Sequence, residues 1–432
     1  MKPLKIGIAG LGTVGTGVIR LLAAHGELIA ARAGRPIIVT AICARDRHRD
    51  RGVTLDGFTW HGDAAGLAAD PEVEAVVELI GGADGAAKTL AEAAIAAGKP
   101  FITANKALLA VHGAALARAA EANNTPIAYE AAVAGGIPVI KSLREGLAAS
   151  QVTRVAGILN GTCNYILTTM REEARDFAAV LADAQGLGYA EADPSFDIDG
   201  VDAAHKLAIL AGLAFGARIS FGSLHIEGIR RISALDIAFA EELGYRIKLL
   251  GIAEETPNGI SLRVHPAMVP LEQPIATVDG VFNAVLLEGD FSGPVFLRGR
   301  GAGAGPTASA VVADLIDLAR GIRVPVWGVA ERDLRDVPIV PISDLNGAYF
   351  LRLMVVDQPG VLADVTAILR DHGISLESML QHGRAPGESV PIVLVTHETN
   401  EAAVKAALTR IAALSAVLEP PALIRIEPKQ EF

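Results

Sequence analysis

The sequence predicts an α/β chain in three parts: a doubly wound parallel sheet, an α+β middle region and a C-terminal βαββαβ domain. Three observations predict it. Short apolar strands alternate with alanine-rich helical stretches through the first third, the pattern of parallel strands joined by crossover helices. Longer helices followed by strand-like runs occupy the middle, and the last eighty or so residues repeat strand and helix in the order of a ferredoxin-like sandwich. At 432 residues, half of them hydrophobic, the chain is long enough for two or three cores.

Taken in order, the strands of the first region read LKIGIAG, PIIVTAICA, EAVVELIG, KPFITAN and PIAYEAAVAG, separated by stretches such as GAAKTLAEAAIAAG. The opening MKPLKIGIAGLGTVGTGVIRLL is apolar, but glycines punctuate it and Arg20, His25 and Glu27 follow, so it reads as the first strand and helix rather than a leader. No run reaches the roughly 18 uninterrupted apolar residues of a membrane span. Residues 1–140 form the first domain, and the glycine-rich turn and helix at 299–325 return to it. Residues 141–298 make the second domain, 326–347 a proline-spaced connector, and 348–432 the tail.

With 38 basic against 49 acidic residues, a net charge of −11, and no basic run interleaved with aromatics, a nucleic-acid or anionic-membrane partner lacks electrostatic support. Small ligands are expected. Cys43 and Cys163 are the only cysteines, which excludes a disulfide framework and fits a reducing cytoplasm.

Gly10, Gly12 and Gly15 follow an apolar strand directly and precede a helix, with Leu11, Thr13 and Val14 between them. Such a turn lets the backbone approach a pyrophosphate while the helix N-terminus faces the anion, the Rossmann-type dinucleotide arrangement. At the tip of the second strand no acid stands ready for a ribose hydroxyl. Arg45 is there instead, which suits a 2′-phosphate and NADP over NAD, with a solvated charged loop as the other reading. Lys106 follows the strand FITAN and so falls at the carboxyl edge of the sheet, where ligands bind; a lysine merely starting a helix is the alternative.

The stretch YAEADPSFDIDGVDAAHKLAILAG crowds Glu191, Asp193, Asp197, Asp199 and Asp202 ahead of one lysine, Lys206. As a calcium loop it fails, because position twelve is Lys206 where a bidentate Glu is needed. The helix that follows is apolar nearly all round, so its charges need partners. Asp202 and Lys206, at i and i+4, form a pair in the favourable order. The pair either fixes a buried helix or makes Lys206 a general acid/base whose proton affinity burial and the aspartate would set. Glu191 and Asp197 would then hold a substrate ammonium, and His205, on a neighbouring face, is structural.

The motifs GLGTVGTGV, TANKALLA, YEAAVAGGIPVI, GILNGTCNYIL, GYAEADPSFDIDGVDAAHKLAIL and GRGAGAGPTASAVVADL, in this order and spacing, resemble those of homoserine dehydrogenases across essentially the whole chain. The tail resembles an ACT domain, an amino-acid-sensing module. The resemblance implies NAD(P)-dependent interconversion of L-homoserine and L-aspartate 4-semialdehyde on the route to threonine, methionine and isoleucine, with threonine as feedback inhibitor and a homo-oligomer, dimer or tetramer. It makes residues 141–298 the catalytic and dimerisation domain. Carried over by position, Lys206 exchanges the proton, Asp202 supports it, and Lys106 contacts substrate and cofactor. Glu191 and Asp197 match the substrate-amino ligands, Asn160, Gly161 and Thr162 the cofactor junction, and Gly303 the late glycine of the nucleotide site. EAAVAGGI is similar to a monovalent-cation loop in which Glu130 and the carbonyls of Val133, Gly135 and Ile137 hold sodium; a plain Gly-Gly turn is the alternative.

Two other functions compete. An aspartate-semialdehyde dehydrogenase needs a nucleophilic cysteine with a histidine partner, and Cys163 lacks that setting. A non-catalytic nucleotide-binding amino-acid sensor would have no use for Lys106, Glu191, Asp202 and Lys206 together.

Overall fold

The computed structural model describes residues 2–383 and 386–429. Its first sheet has six strands: β1 (Leu4–Ala9), β2 (Ile37–Cys43), β3 (Thr59–His61), β4 (Ala75–Glu78), β5 (Phe101–Thr103) and β6 (Ile127–Ala128). They lie in the order β3-β2-β1-β4-β5-β6, every neighbouring pair parallel. The chain direction of winding reverses between β1 and β4, which opens a crevice at their carboxyl ends. The edge strand β3 was not among the expected strands, because three residues are too few to show alternation.

Helices Thr13–Ala33 and Ala304–Arg320 cover one face of this sheet, so Val18, Ala308, Val311 and Leu315 share a core with Ile6, Ile8 and Val77. Ala86–Ala96 and Lys106–Ala122 cover the other face through Leu90, Ala91, Leu108 and Leu116. Thr13–Ala33, at 21 residues, is long and apolar enough to cross a membrane by length and composition alone. Here its buried stripe, Gly15 to Ile19 with Ile29, faces the core.

The second sheet begins with Gly293–Arg300, Phe282–Gly289, Val152–Ile158, Tyr245–Thr256 and Gly259–Pro270, all antiparallel neighbours. Both of its faces are apolar. Val155, Leu249 and Ala253 pack with Leu207 and Leu210 of helix Val201–Phe215, while the alternate residues Ala156, Leu250 and Ile252 join Val269 and Ile275 on the opposite side, as a pleat with period two requires.

The tail has the strand–helix–strand–strand–helix–strand order read from the sequence. Asn346–Val356 and Ser389–Thr396 form its centre, and Val361–Asp371 and Glu401–Ala412 bury Val365, Leu369, Val404 and Ile411 against Leu351 and Leu353. Its last strand, Ala422–Ile426, also pairs in parallel with Gly259–Pro270 through Ala267↔Arg425 and Met268↔Ile426. The sheets of the middle region and the tail are thus continuous. The connector is a packed strap: Trp327 is buried where Gly113 leaves room for it, since a Cβ there would meet its ring at 2.6 Å, and Tyr129 donates to the Val326 carbonyl at 2.5 Å.

Candidate active site

At the carboxyl end of β1 the three glycines do three different things. Gly10 has φ +99° and a Cβ on it would lie 2.3 Å from the Leu79 carbonyl oxygen; Gly15 would strike the Gly10 oxygen at 2.1 Å; Gly12 has nothing within 4 Å. The outer two make the turn and the helix contact, and the middle one leaves open space in front of a helix whose first N–H groups carry no side-chain cap. That space, next to buried Leu11 and exposed Thr13, fits a pyrophosphate. Arg45 is exposed beyond β2. Arg51 is the basic residue that reaches the glycine loop, donating from Nε to the Leu11 carbonyl at 3.1 Å, and Arg47 and Arg51 both lie over the Trp60 ring.

A cavity of about 520 Å³ opens beside this crevice, with Lys106, Asn160, Asp197, Asp202 and Lys206 in its wall along with Gly161, Thr162 and Gly303. Buried Asp202 is held between two ammonium groups, Lys206 Nζ at 2.8 Å from Oδ2 and Lys106 Nζ at 3.0 Å from Oδ1. Burial raises the proton affinity of Asp202, but the two lysines and Asn160 together overcome it and hold the carboxyl well below the usual range. Lys206 also donates to the Leu159 carbonyl at 2.6 Å. Lys106 arrives from the start of its helix, where Asn105 caps the turn by accepting from the Leu108 N–H at 3.1 Å.

Asn160 ties the two acids together. Its Nδ2 donates to Asp197 Oδ1 and Asp202 Oδ2, each at 2.8 Å, while its Oδ1 caps helix Gly161–Glu173 through the Cys163 N–H. Asp197 moves the other way from Asp202: burial, then the Asp202 charge, raise its pKa. His205 stacks on Phe221 at 4.2 Å and has its pKa lowered by burial, a packed core ring. Cys163 is fully buried, its thiol pushed well up by burial, and Sγ donates to the Asp197 carbonyl at 3.2 Å; such a thiol is inert.

Glu191 does not join this group. Its side chain is exposed on the segment 188–194, which is tethered at Tyr189 by the Thr162 hydroxyl donating to the Tyr189 carbonyl and carries residue 191 outward. Asn283, which the motifs did not mark, does join it: it is buried in the wall with an Oδ1 that has no partner among the described residues. In the sequence Asn283 is only a polar residue at the start of the apolar run NAVLLEGDF, which carries no alternation to mark it.

The loop from Glu130 to Ile137 is sharply bent, with Ala134 and Gly135 both at positive φ (54° and 52°). Glu130 is buried; its two oxygens accept the Ile140 and Lys141 N–H groups at 3.0 and 2.9 Å, and burial raises its pKa. Gly135 abuts Gly301, with 2.5 Å from a Cβ to the Gly301 oxygen, so this loop buttresses the glycine-rich turn that leads to Gly303.

A profile for homoserine dehydrogenase matches residues 138–316, one for the homoserine dehydrogenase NAD binding domain residues 10–130, and one for the ACT domain residues 349–416. The chain is 48% identical over 434 residues to the homoserine dehydrogenase of Pseudomonas aeruginosa and 45% over 433 residues to that of Neisseria gonorrhoeae, with 99% of each chain covered. The crystal structure of a homoserine dehydrogenase from Thiobacillus denitrificans superposes with a TM-score of 0.93 at 48% identity, covering 99% of both chains. A nucleotide turn, a lysine–aspartate–lysine cluster beside it and a similarity that runs the full length agree: the chain belongs to the homoserine dehydrogenase family of NAD(P)-dependent oxidoreductases.

Proposed function

We propose that Lys206 is the acid/base group of this dehydrogenase, moving the proton at the C4 oxygen of L-homoserine or L-aspartate 4-semialdehyde. The observation that carries this reading is Asp202, buried and shared between Lys206 and Lys106 at the wall of the cavity. When bound, the nicotinamide accepts or gives the hydride at the adjoining carbon. In the reducing direction the Lys206 ammonium supplies the proton to the oxygen as charge develops; in the oxidising direction Lys206 takes it. Asp202 orients both ammonium groups, and Lys106 holds the polar end of the substrate against the cofactor side. The substrate ammonium falls to Asp197, with Glu191 contributing only on an inward movement of 188–194.

Gly10, Leu11, Gly12, Thr13, Val14 and Gly15 hold the pyrophosphate, and Asn160, Gly161, Thr162 and Gly303 line the junction with the nicotinamide. NADP is the preferred cofactor, supported by the Arg45, Arg47 and Arg51 group and by the lack of an acid at the tip of β2. Sodium is the cation of the 130–137 loop, held by Glu130 and the carbonyls of Val133, Gly135 and Ile137; the buried carboxylate and the two positive-φ residues support this. The ACT domain takes threonine as its effector, the enzyme works in the cytoplasm as a homodimer or tetramer, and the domain divisions at 140, 298, 325 and 347 describe its parts.

The test is homoserine-dependent reduction of NADP⁺ and NAD⁺ by the purified enzyme, with sodium or potassium and with or without threonine. Lys206→Ala is expected to lose turnover while cofactor binding, read by nucleotide fluorescence, persists. Unchanged turnover in that variant would falsify the acid/base assignment.

A further inference from the structure

We infer that the connector after helix Ala304–Arg320 is a spacer for catalysis: its Trp327 and Glu331 are positioning residues that set the separation of the two helices carrying Lys106 and the Asp202–Lys206 pair. This rests on the roles given above to those three charged groups. The ion pair between Lys106 and Asp202, 3.0 Å long, crosses between helix Lys106–Ala122, which packs on the parallel sheet, and helix Val201–Phe215, which packs on the antiparallel sheet. Its length therefore depends on how far apart the two helices are held.

Trp327 lies between them. A Cβ on Gly113 would stand 2.6 Å from its Cζ2 and one on Gly212 3.3 Å from its Cζ3, so opposite edges of one buried ring touch the two helices where each has a glycine. Both contacts lie about 10 Å beyond the charged groups, counted at about 1.5 Å per residue from Lys106 and from Lys206. The separation of packed helices follows the bulk of the side chains at their contact; at these two positions neither helix supplies any, and the indole of a third segment does. The indole N–H is buried without a partner among the described residues, a cost that phenylalanine would avoid, so what the larger ring contributes is width. Beside it a cavity of about 50 Å³ persists between the helices, with Leu109 and Ala208 in its wall. Helices free to draw together would close such a space; these are propped.

The strap is also tied to both helices. Buried Glu331 accepts from Arg118 of the first helix at 2.6 and 3.1 Å, and from Arg218, just past the end of the second, at 3.3 Å. Its backbone N–H donates to Glu121 Oε1 at 2.8 Å. The Arg335 N–H donates to the carbonyl of Gly216, the C-cap of the second helix, at 2.8 Å. With the far ends bound and the middles propped, the near ends meet where Asp202 reaches both ammonium groups. A misplacement of about 1 Å in such a constellation costs up to about a hundredfold in rate.

The experiment measures kcat and KM for homoserine and for NADP⁺ in full-length Trp327→Leu, Gly113→Ala and the two combined. Melting temperature and the stoichiometry of bound NADPH accompany each, so that rates refer to folded enzyme. Trp327→Leu removes the prop and Gly113→Ala drives a methyl into it, opposite errors in one distance. Each is expected to lower kcat/KM for homoserine by about tenfold or more, while KM for NADP⁺, set by the glycine turn, stays within about twofold. In the combination the methyl takes up part of the vacated space, and most of the loss is expected to be recovered. If both single variants keep wild-type kcat/KM per folded enzyme, whatever their melting temperatures, the strap is structural only and the inference is overturned. Lys206→Ala, assayed alongside, keeps the two readings apart. Activity in that variant overturns the assignment of the charged cluster and the spacer with it; its inactivity beside unimpaired strap variants removes the spacer role alone.

Discussion

Asp197 and Asp202 stand five residues apart, yet their carboxyls are driven in opposite directions. Asp202 has two lysines and stays ionised despite burial; for Asp197 burial and the neighbouring Asp202 charge outweigh the Asn160 amide and the weaker pull of the two lysines. Two acids so separated can serve two roles in one pocket. With Asn160→Ala, Asp197 loses the bond that lowers its pKa, so it ionises at a higher pH than in the wild type. If ionised Asp197 holds the substrate ammonium, the acid limb of kcat/KM for homoserine moves to higher pH in that variant, and a limb that stays in place would argue that Asp197 is not the ligand. The Asp202–Lys206 pair was legible because both lie on one helix turn. Asn160 was legible only as part of a family signature: it is 37 and 42 positions from the acids it bridges, and no local spacing reports a contact made across the fold. Glu191 shows the converse, an acid close in sequence that the backbone carries away.

At the scale of elements, the glycine turn separates a folding role from a binding role. Gly15→Ala puts a methyl 2.1 Å from the Gly10 oxygen, whereas Gly12→Ala meets nothing within 4 Å. The Gly15 variant is expected to lower the melting temperature. The Gly12 variant is expected to fold with an unchanged melting temperature but a raised KM for NADP⁺, because the methyl stands where the pyrophosphate approaches; equal melting temperatures for both would contradict the packing argument. The strand Tyr245–Thr256 contains a second test. Lys248 is buried among the Val278 carbonyl at 2.7 Å, Asp279 at 3.0 Å and Asn164 at 3.2 Å, and burial lowers its pKa to about 8 despite Asp279. The unfolded chain, with an ordinary lysine, binds the extra proton between about pH 8 and 10.5, so this group's contribution to stability rises with pH across that window and is flat below it. Relative to Lys248→Met, the wild type is expected to gain on the order of 2 kcal/mol in urea unfolding from pH 8 to 10; a pH-independent difference would mean that Lys248 keeps its ordinary pKa. In the sequence Lys248 is one polar residue in YRIKLLGIAEE, visible as an interruption but without its partners.

For the molecule as a whole, the tail's sequence reads as a detachable module after a proline-spaced connector, and its internal order was plain from alternating strands and amphipathic helices. Its attachment was not plain, because two residue pairs, Ala267↔Arg425 and Met268↔Ile426, leave no mark on local pattern. They are reinforced by buried charge. Arg352 donates to Asp236 at 2.6 Å, where Asp236 also completes the capping box of helix Ala234–Glu242, and Glu427 accepts from Arg154 at 2.6 Å. Cutting the chain after Leu345 would leave Asp236 and Arg154 without these partners and bare the edge of Gly259–Pro270. Removing one partner of a buried pair costs about 3–5 kcal/mol, and an exposed strand edge invites association. The truncated enzyme is therefore expected to melt lower and to aggregate on size-exclusion chromatography, rather than to persist as a clean, effector-insensitive catalyst. Arg352→Met paired with Asp236→Asn in the full chain separates the two contributions: it removes a charge pair while leaving the strand edge covered, so it should lower the melting temperature without aggregation. A truncated enzyme that stays monodisperse with wild-type melting temperature and kcat/KM would show that the catalytic sheet is complete without the tail.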